Sequence, residues 1–187
     1  FERIKGFYPD DTVHLPDFVV PAGYTADEYL ARISTEGLYN ILKSNRNLTS
    51  AKKYKPRLDR ELKVIADRGF SKYFLTMKAI SDKANATMLS GPGRGSAAGS
   101  LVAYALGITQ VDPIEHGLLF SRFLRSDAKD YPDIDYDVSE PMVLKEQLIK
   151  EWGEDTVVPI SNWNTLQLRS LIKDISKFYN IPFKESN

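Results

Sequence analysis

The sequence predicts an α+β fold in which helices flank a mixed β-sheet. Several stretches repeat apolar residues at helical spacing, a few short ones have strand-like patterns, and the two kinds alternate without a regular βαβ order. With 187 residues, 42% of them hydrophobic, the chain can bury a sizeable core. We expect an extended lead-in over 1–24, a helical segment over 25–86 and a sheet-containing core over 87–187.

The helical segment is predicted to begin after the proline-rich lead-in. Thr25 is the predicted N-cap of the first helix, because Glu28 three residues later completes a capping box. Helical spacing then continues up to a polar and basic stretch, 45–55, which is predicted to be a loop. Pro56 is predicted to open the second helix, and Gly69 to end it.

The remaining elements are assigned from the period of their apolar residues. The predicted helices repeat apolar residues every three or four positions, and two of the predicted strands are short apolar runs. The third predicted strand alternates acidic and apolar residues. The elements are helices over 73–86, 96–106, 143–152 and 166–179, and strands over 87–90, 133–138 and 156–160.

Composition excludes several classes of protein. Lysine plus arginine and aspartate plus glutamate both number 25, so the chain lacks the strong overall basic charge of a free-standing nucleic-acid binder. This balance does not itself exclude nucleic-acid binding, because a local basic strip can lie opposite an acidic metal site. The chain has no cysteine, which excludes disulfides, thiolate metal sites and thiol nucleophiles. No apolar run is long enough to span a bilayer, and the start has no signal-peptide pattern. We therefore predict a soluble, cytoplasmic segment, without membrane partners, that is processed or excised since it begins with Phe1.

Basic residues are densest near the start of the predicted second helix. They either contact a DNA backbone or form a solvated loop and helix start, and the sequence leaves both interpretations open. The cluster consists of Lys52, Lys53, Lys55, Arg57 and Arg60.

The first motif with chemical meaning is the glycine-rich stretch 91–100, which reads GPGRGSAAGS. Its three glycines within five residues let the backbone approach a ligand closely. The free N–H groups of a helix beginning there would favour phosphate. Arg94 can add a charged fork to phosphate oxygens, and Ser96 can add a hydrogen bond.

Three other interpretations compete for this stretch. A Walker A loop is excluded because the required lysine is absent. A dinucleotide fingerprint fits Gly93, Gly95 and Ala98 and would indicate an oxidoreductase, but such a glycine pattern alone is a weak signal. A strand-to-helix turn without a ligand is the third interpretation.

The second motif is the acidic alternation that follows Pro132. In a strand, Asp133, Asp135 and Asp137 would share one face, where a divalent cation would relieve their repulsion and magnesium would suit their oxygens. An EF-hand is excluded because Val138 and Leu144 occupy the positions of its glycine and its last glutamate. A solvated acidic edge strand remains the alternative.

Together, a phosphate-binding loop and carboxylates on a strand are the minimum equipment for metal-assisted nucleotidyl transfer. At these residues the sequence resembles the alpha subunit of bacterial DNA polymerase III, the C-family replicative polymerases. The resemblance covers most of 28–180 and implies a palm of the polymerase-beta-like nucleotidyltransferase type. The stretches that carry it are 36–38, 54–59, 61–62, 69–70, 73–75, 91–109, 111–113, 117–120, 122–124 and 132–135.

The resemblance implies a site for DNA-directed DNA polymerisation with two magnesium ions. Asp133 and Asp135 would be catalytic metal ligands, and Asp137 ranks below them as a ligand. Primer–template DNA and deoxynucleoside triphosphates would be bound, and the rest of the polymerase and the replisome, with its sliding clamp, would be partners. The cell would be a bacterium or a phage-infected bacterium. The residues implied to contact the phosphates of the incoming nucleotide are Arg94, Gly95, Ser96 and Arg122.

The sequence also departs from the family. The family's third catalytic aspartate lies well after the acidic strand, beyond a region that this chain does not reach. Neither Asp155 nor Asp174 matches its position. We therefore expect the isolated chain to be inactive. The alternative hypothesis is a non-catalytic or split palm that binds nucleotide or DNA and needs a partner chain.

Overall fold

The computed structural model describes residues 17–44, 51–125, 127, 131–158, 160, 165 and 167–182. Within them lie six α-helices and two short 3-10 helices, which occupy Ser96–Gly99 and Phe120–Arg122. The α-helices are α1 (Ala26–Ser44), α2 (Ala51–Asp67), α3 (Ser71–Thr87), α4 (Leu101–Ala105), α5 (Pro141–Trp152) and α6 (Leu168–Phe178).

The predicted α+β fold with a mixed sheet is wrong. The described residues contain no strand, and the segments 87–90 and 133–138 share only one isolated antiparallel bridge, between Ser90 and Val138. The pairing stops there because the loop turns away, with the Pro92 carbonyl accepting from the Gln110 N–H at 2.7 Å and Gly93 at a φ of +115°. The acidic segment is therefore held by side chains and by one bridge.

The predicted buried strand over 156–160 is also wrong for the residues of it that the structure describes. Val158 and Ile160 are 69% and 97% exposed, and neither lies in a strand. A short apolar run predicts a strand only if a partner segment is available to cover it, and the sequence pattern does not report on that partner.

The first helix is confirmed together with its cap. Thr25 accepts a hydrogen bond from the Glu28 N–H at 3.2 Å, and its own N–H donates to Glu28 Oε2 at 2.8 Å. The start of the second helix was wrong, because α2 begins at Ala51 and contains Pro56. Tyr54 upstream of the proline is buried, so packing stabilises the additional turn. Residues 45–50 of the predicted loop lie outside the described residues.

The structure divides after Leu148 into two compact units. In the first unit α1 packs against α2, α3 and α4, and α2 packs against α4. Its core contains the fully buried Leu58, Ile65, Phe74 and Leu101. The second unit contains α6, whose apolar residues include the 73% exposed Leu168. Of the helices described, none is both long and apolar enough to cross a lipid bilayer.

Candidate functional site

The glycine-rich loop and the acidic segment lie directly side by side. The Gly91 N–H donates to the Asp137 carbonyl at 2.9 Å. Gly95 has a φ of +65°, and a Cβ at this position would lie 2.6 Å from Asp135 Oδ2. Only glycine fits there, because the backbone conformation and the neighbouring carboxylate both exclude a side chain. The structure thus brings the two sequence motifs into contact, although they are not joined through a sheet.

The acidic segment keeps its alternation without being a strand. Ile134 is buried in the core, and Tyr136 is partly buried. On the other side Asp133 and Asp137 are exposed, and Asp135 is partly buried. The three carboxylates therefore face away from the core as predicted, while their exposure differs from one to the next.

Tyr73 of α3 anchors this segment. Its hydroxyl oxygen accepts a hydrogen bond from the Ile134 N–H at 3.3 Å. Burial raises the pKa of the Tyr73 hydroxyl, and the negative charges of Asp133 and Asp135 raise it further, against the opposing effect of the Ile134 hydrogen bond. Tyr73 and Ile134 are 61 positions apart, so nothing in the local sequence indicates this contact.

Arg94 extends from the glycine loop to two of the carboxylates. Its Nε lies 2.9 Å from Asp137 Oδ2 and 3.0 Å from Oδ1, and its Nη2 lies 3.1 Å from Asp135 Oδ1. The hydrogen bond to Asp137 and the charges of both aspartates raise the pKa of the guanidinium. The arginine implied to contact phosphate is bound here to the protein's own acidic groups.

Beside the loop is an open groove of about 500 Å³, whose lining residues come from two short segments, 95–99 (the first wall) and 117–122 (the second wall). The groove is lined by three of the four residues implied to contact nucleotide phosphates, namely Gly95, Ser96 and Arg122. Ser96 and Arg122 are exposed. Arg94 is not among its described lining residues. The full lining is Gly95, Ser96, Ala98, Gly99, Gly117, Leu118, Leu119 and Arg122.

The predicted helix over 96–106 is interrupted. Four residues, Ser96–Gly99, form a 3-10 helix, and α4 begins only after Ser100, whose hydroxyl accepts from the Ala103 N–H at 3.1 Å. A single 3-10 turn has little helix dipole to offer a phosphate. A phosphate placed in this groove would therefore be bound by Ser96 and Arg122 and by loop N–H groups.

The start of α4 is already occupied by an anion from the protein, Glu61 of α2. This carboxylate is fully buried, and its Oε2 accepts from the Ser100 hydroxyl and from the Val102 N–H, both at 3.1 Å. Its other oxygen forms an ion pair with Arg57. Burial raises the pKa of Glu61, while these donors and the Arg57 charge oppose the rise. The spacing of Arg57 and Glu61 indicates a helical ion pair, but no sequence signal reveals its burial.

The metal site is incomplete within the described residues. None of them form a group of three aspartate, glutamate, histidine or cysteine side chains that could hold a metal ion. Asp133 and Asp135 offer oxygen donors of the kind magnesium prefers, but Arg94 is bound to Asp135 and Asp137. The carboxylate oxygens present fit magnesium, but the described residues do not provide enough of them for a two-metal site.

Comparison with known proteins gives one consistent family. The family model described as the bacterial DNA polymerase III alpha NTPase domain matches residues 28–187. The DNA polymerase III subunit alpha of Aquifex aeolicus is 37% identical over 183 residues, which are 96% of this chain and 16% of that protein. The same subunit of Borreliella burgdorferi is 41% identical over 179 residues, 92% of this chain and 15% of that protein. The chain therefore spans less than a fifth of the length of these relatives.

Proposed function

The chain belongs to the bacterial DNA polymerase III alpha subunit family, and on this premise we propose that it is a palm-region segment of a DNA-directed DNA polymerase. In this proposal it binds the phosphates of an incoming deoxynucleoside triphosphate beside the acidic segment. The rest of the polymerase, primer–template DNA and the replisome subunits, the sliding clamp among them, are its partners in a bacterial cytoplasm. Support comes from the family model, which covers both motifs.

The observation that carries the proposal is the contact between the groove and the acidic segment. Gly95, Ser96 and Arg122 line the groove. Asp135 lies so close to Gly95 that no side chain would fit between them. A serine hydroxyl and an arginine fork are suitable donors for phosphate oxygens. Phosphates held in this groove would lie close to the carboxylates that the reaction requires.

In the proposed reaction the primer 3′-oxygen bonds to the α-phosphorus of the nucleotide. The bond from that phosphorus to the bridging oxygen breaks, pyrophosphate leaves, and water takes up the proton of the 3′-hydroxyl. Asp133 and Asp135 would contribute ligands to magnesium, with at least one further carboxylate from outside the described residues. Magnesium bound there would neutralise charge on the triphosphate, while Ser96, Arg122 and, once released from Asp137, Arg94 would orient the phosphates.

A second candidate function is a nucleotide- or DNA-binding module that acquires activity only beside another chain. The incomplete set of metal donors in the described residues favours it. Metal-dependent primer extension by the purified 187-residue chain would exclude this candidate.

Calorimetric titration of the full chain with dATP, with and without magnesium, tests the first proposal. We expect Asp133→Asn combined with Asp135→Asn to abolish the magnesium-dependent part of the affinity. Ser96→Ala combined with Arg122→Ala should weaken binding in both conditions. Asp67→Asn is the control, since this exposed carboxylate pairs with Lys63 on α2. Unchanged magnesium-dependent binding in the double aspartate variant would show that the proposal is wrong.

A further inference from the structure

The two walls of the groove are joined by one side chain from α2, that of Arg57. Its Nη2 donates to the Gly99 carbonyl at 2.8 Å and to the Leu118 carbonyl at 3.2 Å. Gly99 ends the 3-10 helix that begins with Ser96, and Leu118 lies shortly before the 3-10 helix that ends with Arg122. A single nitrogen therefore binds the backbone of both walls.

The walls are also in direct contact beside this arginine. A Cβ at Gly99 would lie 2.9 Å from the Leu119 carbonyl oxygen, so the two segments approach as closely as glycine allows. Since no side chain separates them here, hydrogen bonding to their carbonyls fixes their spacing. Arg57 provides that bonding.

Arg57 is itself held in place by Glu61, one helical turn further along α2. The Arg57 side chain is 19% exposed and that of Glu61 is fully buried. Glu61 in turn accepts from Ser100 and Val102, directly after the first wall. Each charge compensates the other, which offsets the cost of removing both from water. Both oxygens of Glu61, and the Nε and Nη2 of Arg57, therefore have hydrogen-bond partners within this cluster.

We propose that Arg57 is a positioning residue that sets the distance between Ser96 and Arg122 across the groove. This inference rests on the proposed phosphate-binding function of the same groove. A ligand of linked phosphates contacts both walls and depends on their spacing. A single phosphate contacts one wall and does not. Arg57 thus controls selectivity for polyphosphate, although it is not among the described residues that line the groove.

The test compares the affinities of the full chain for inorganic tripolyphosphate and orthophosphate by calorimetry. The variant is Arg57→Met combined with Glu61→Gln, which leaves no buried unpaired charge and lets residue 61 still accept from Ser100 and Val102. We expect tripolyphosphate affinity to fall at least about tenfold and orthophosphate affinity to change less than about twofold. Arg60→Met, at an exposed position of the same helix, should leave both affinities unchanged.

A second variant, Arg57→Lys, keeps the charge opposite Glu61 but cannot reproduce the fork, and we expect a smaller loss confined to tripolyphosphate. This variant decides the question if the double variant does not fold. The inference would be overturned if either folded variant bound tripolyphosphate as tightly as the unaltered chain does. It would also be overturned if the affinities for tripolyphosphate and orthophosphate fell by the same factor. Neither result would contradict the proposed function. Absence of tripolyphosphate binding by the unaltered chain would instead overturn the proposed function, and this inference with it.

Discussion

Arg94 binds both carboxylate oxygens of Asp137, with its Nε 2.9 Å from Oδ2 and 3.0 Å from Oδ1. The side chains are 59% and 58% exposed, so water and salt weaken the pair. A phosphate group arriving at the glycine loop would compete with Asp137 for the same guanidinium. On the proposed function, Asp137 would act on nucleotide binding through Arg94, which differs from the role of metal ligand that the acidic alternation suggests.

The first prediction concerns this competition. We expect Asp137→Asn to raise the affinity for tripolyphosphate without magnesium, by less than about tenfold, because an exposed ion pair is weak. The measurement is a calorimetric titration at low salt. Asp127→Asn, which breaks the similarly exposed pair with Arg125, is the control and should have no effect. A fall in affinity for Asp137→Asn would show that Asp137 helps to hold the ligand.

The elements that the sequence predicts correctly are those with local determinants. The cap of α1 depends on Thr25 and Glu28, three residues apart, and was readable in full. The alternation around Ile134 also gives the correct faces, since burial of every second residue needs no sheet. The absence of the strand is not visible in this pattern, because a strand requires a partner, and the facing loop turns away at the positive φ of Gly93.

The parts of the site that the sequence did not reveal depend on distant contacts. Glu61 and Ser100 are separated by 39 residues, and Arg57 and Leu118 by 61. Arg57 lies within a basic stretch that resembles a solvated surface, and only packing shows that its guanidinium faces backbone carbonyls. The two motifs suggest from the sequence alone that the glycine loop and Asp135 lie together. The contacts of Arg57 and Glu61 behind the loop become visible only in the folded chain.

The second prediction concerns the pH dependence of α1. The Thr25 N–H, and next the Thr25 hydroxyl, lower the pKa of Glu28 below its ordinary value of 4.5. The capping box therefore stabilises the fold above about pH 4.5, and this contribution is lost as the pH falls through the lowered pKa.

We expect Glu28→Gln to destabilise the chain at neutral pH and to have less effect in acid below that pKa. Urea unfolding followed by circular dichroism at both pH values measures the difference. Glu36→Gln, at an exposed position within the same helix, should show no comparable dependence. An equal effect of Glu28→Gln at the two pH values would contradict the assignment.

The third prediction concerns the turn that leads into the second wall of the groove. The Tyr54 hydroxyl of α2 donates to Asp112 Oδ2 at 2.6 Å, and Asp112 Oδ1 accepts from the Ile114 and Glu115 N–H groups at 2.8 and 3.2 Å. Burial raises the pKa of Tyr54, and the hydrogen bond to Asp112 raises it further. The aspartate thus links α2 to the turn before Gly117.

We expect Tyr54→Phe to lower the free energy of unfolding by about 1.5 to 3 kcal/mol at neutral pH, the range for a hydrogen bond to a charged group. Because the pKa of Tyr54 is raised in the folded chain, this stabilisation is complete below about pH 10, the ordinary tyrosine value. It falls as the pH rises further, because Tyr54 then ionises in the unfolded chain but not in the folded one. The difference between the unaltered chain and the variant should therefore shrink in alkali. Chemical unfolding at neutral pH and above pH 10 measures it, with Tyr39→Phe, at a 53% exposed tyrosine, as the control. A difference that stays constant across this range would mean that the hydroxyl is not bound to Asp112 in solution, and the turn would then depend on the two backbone N–H groups alone.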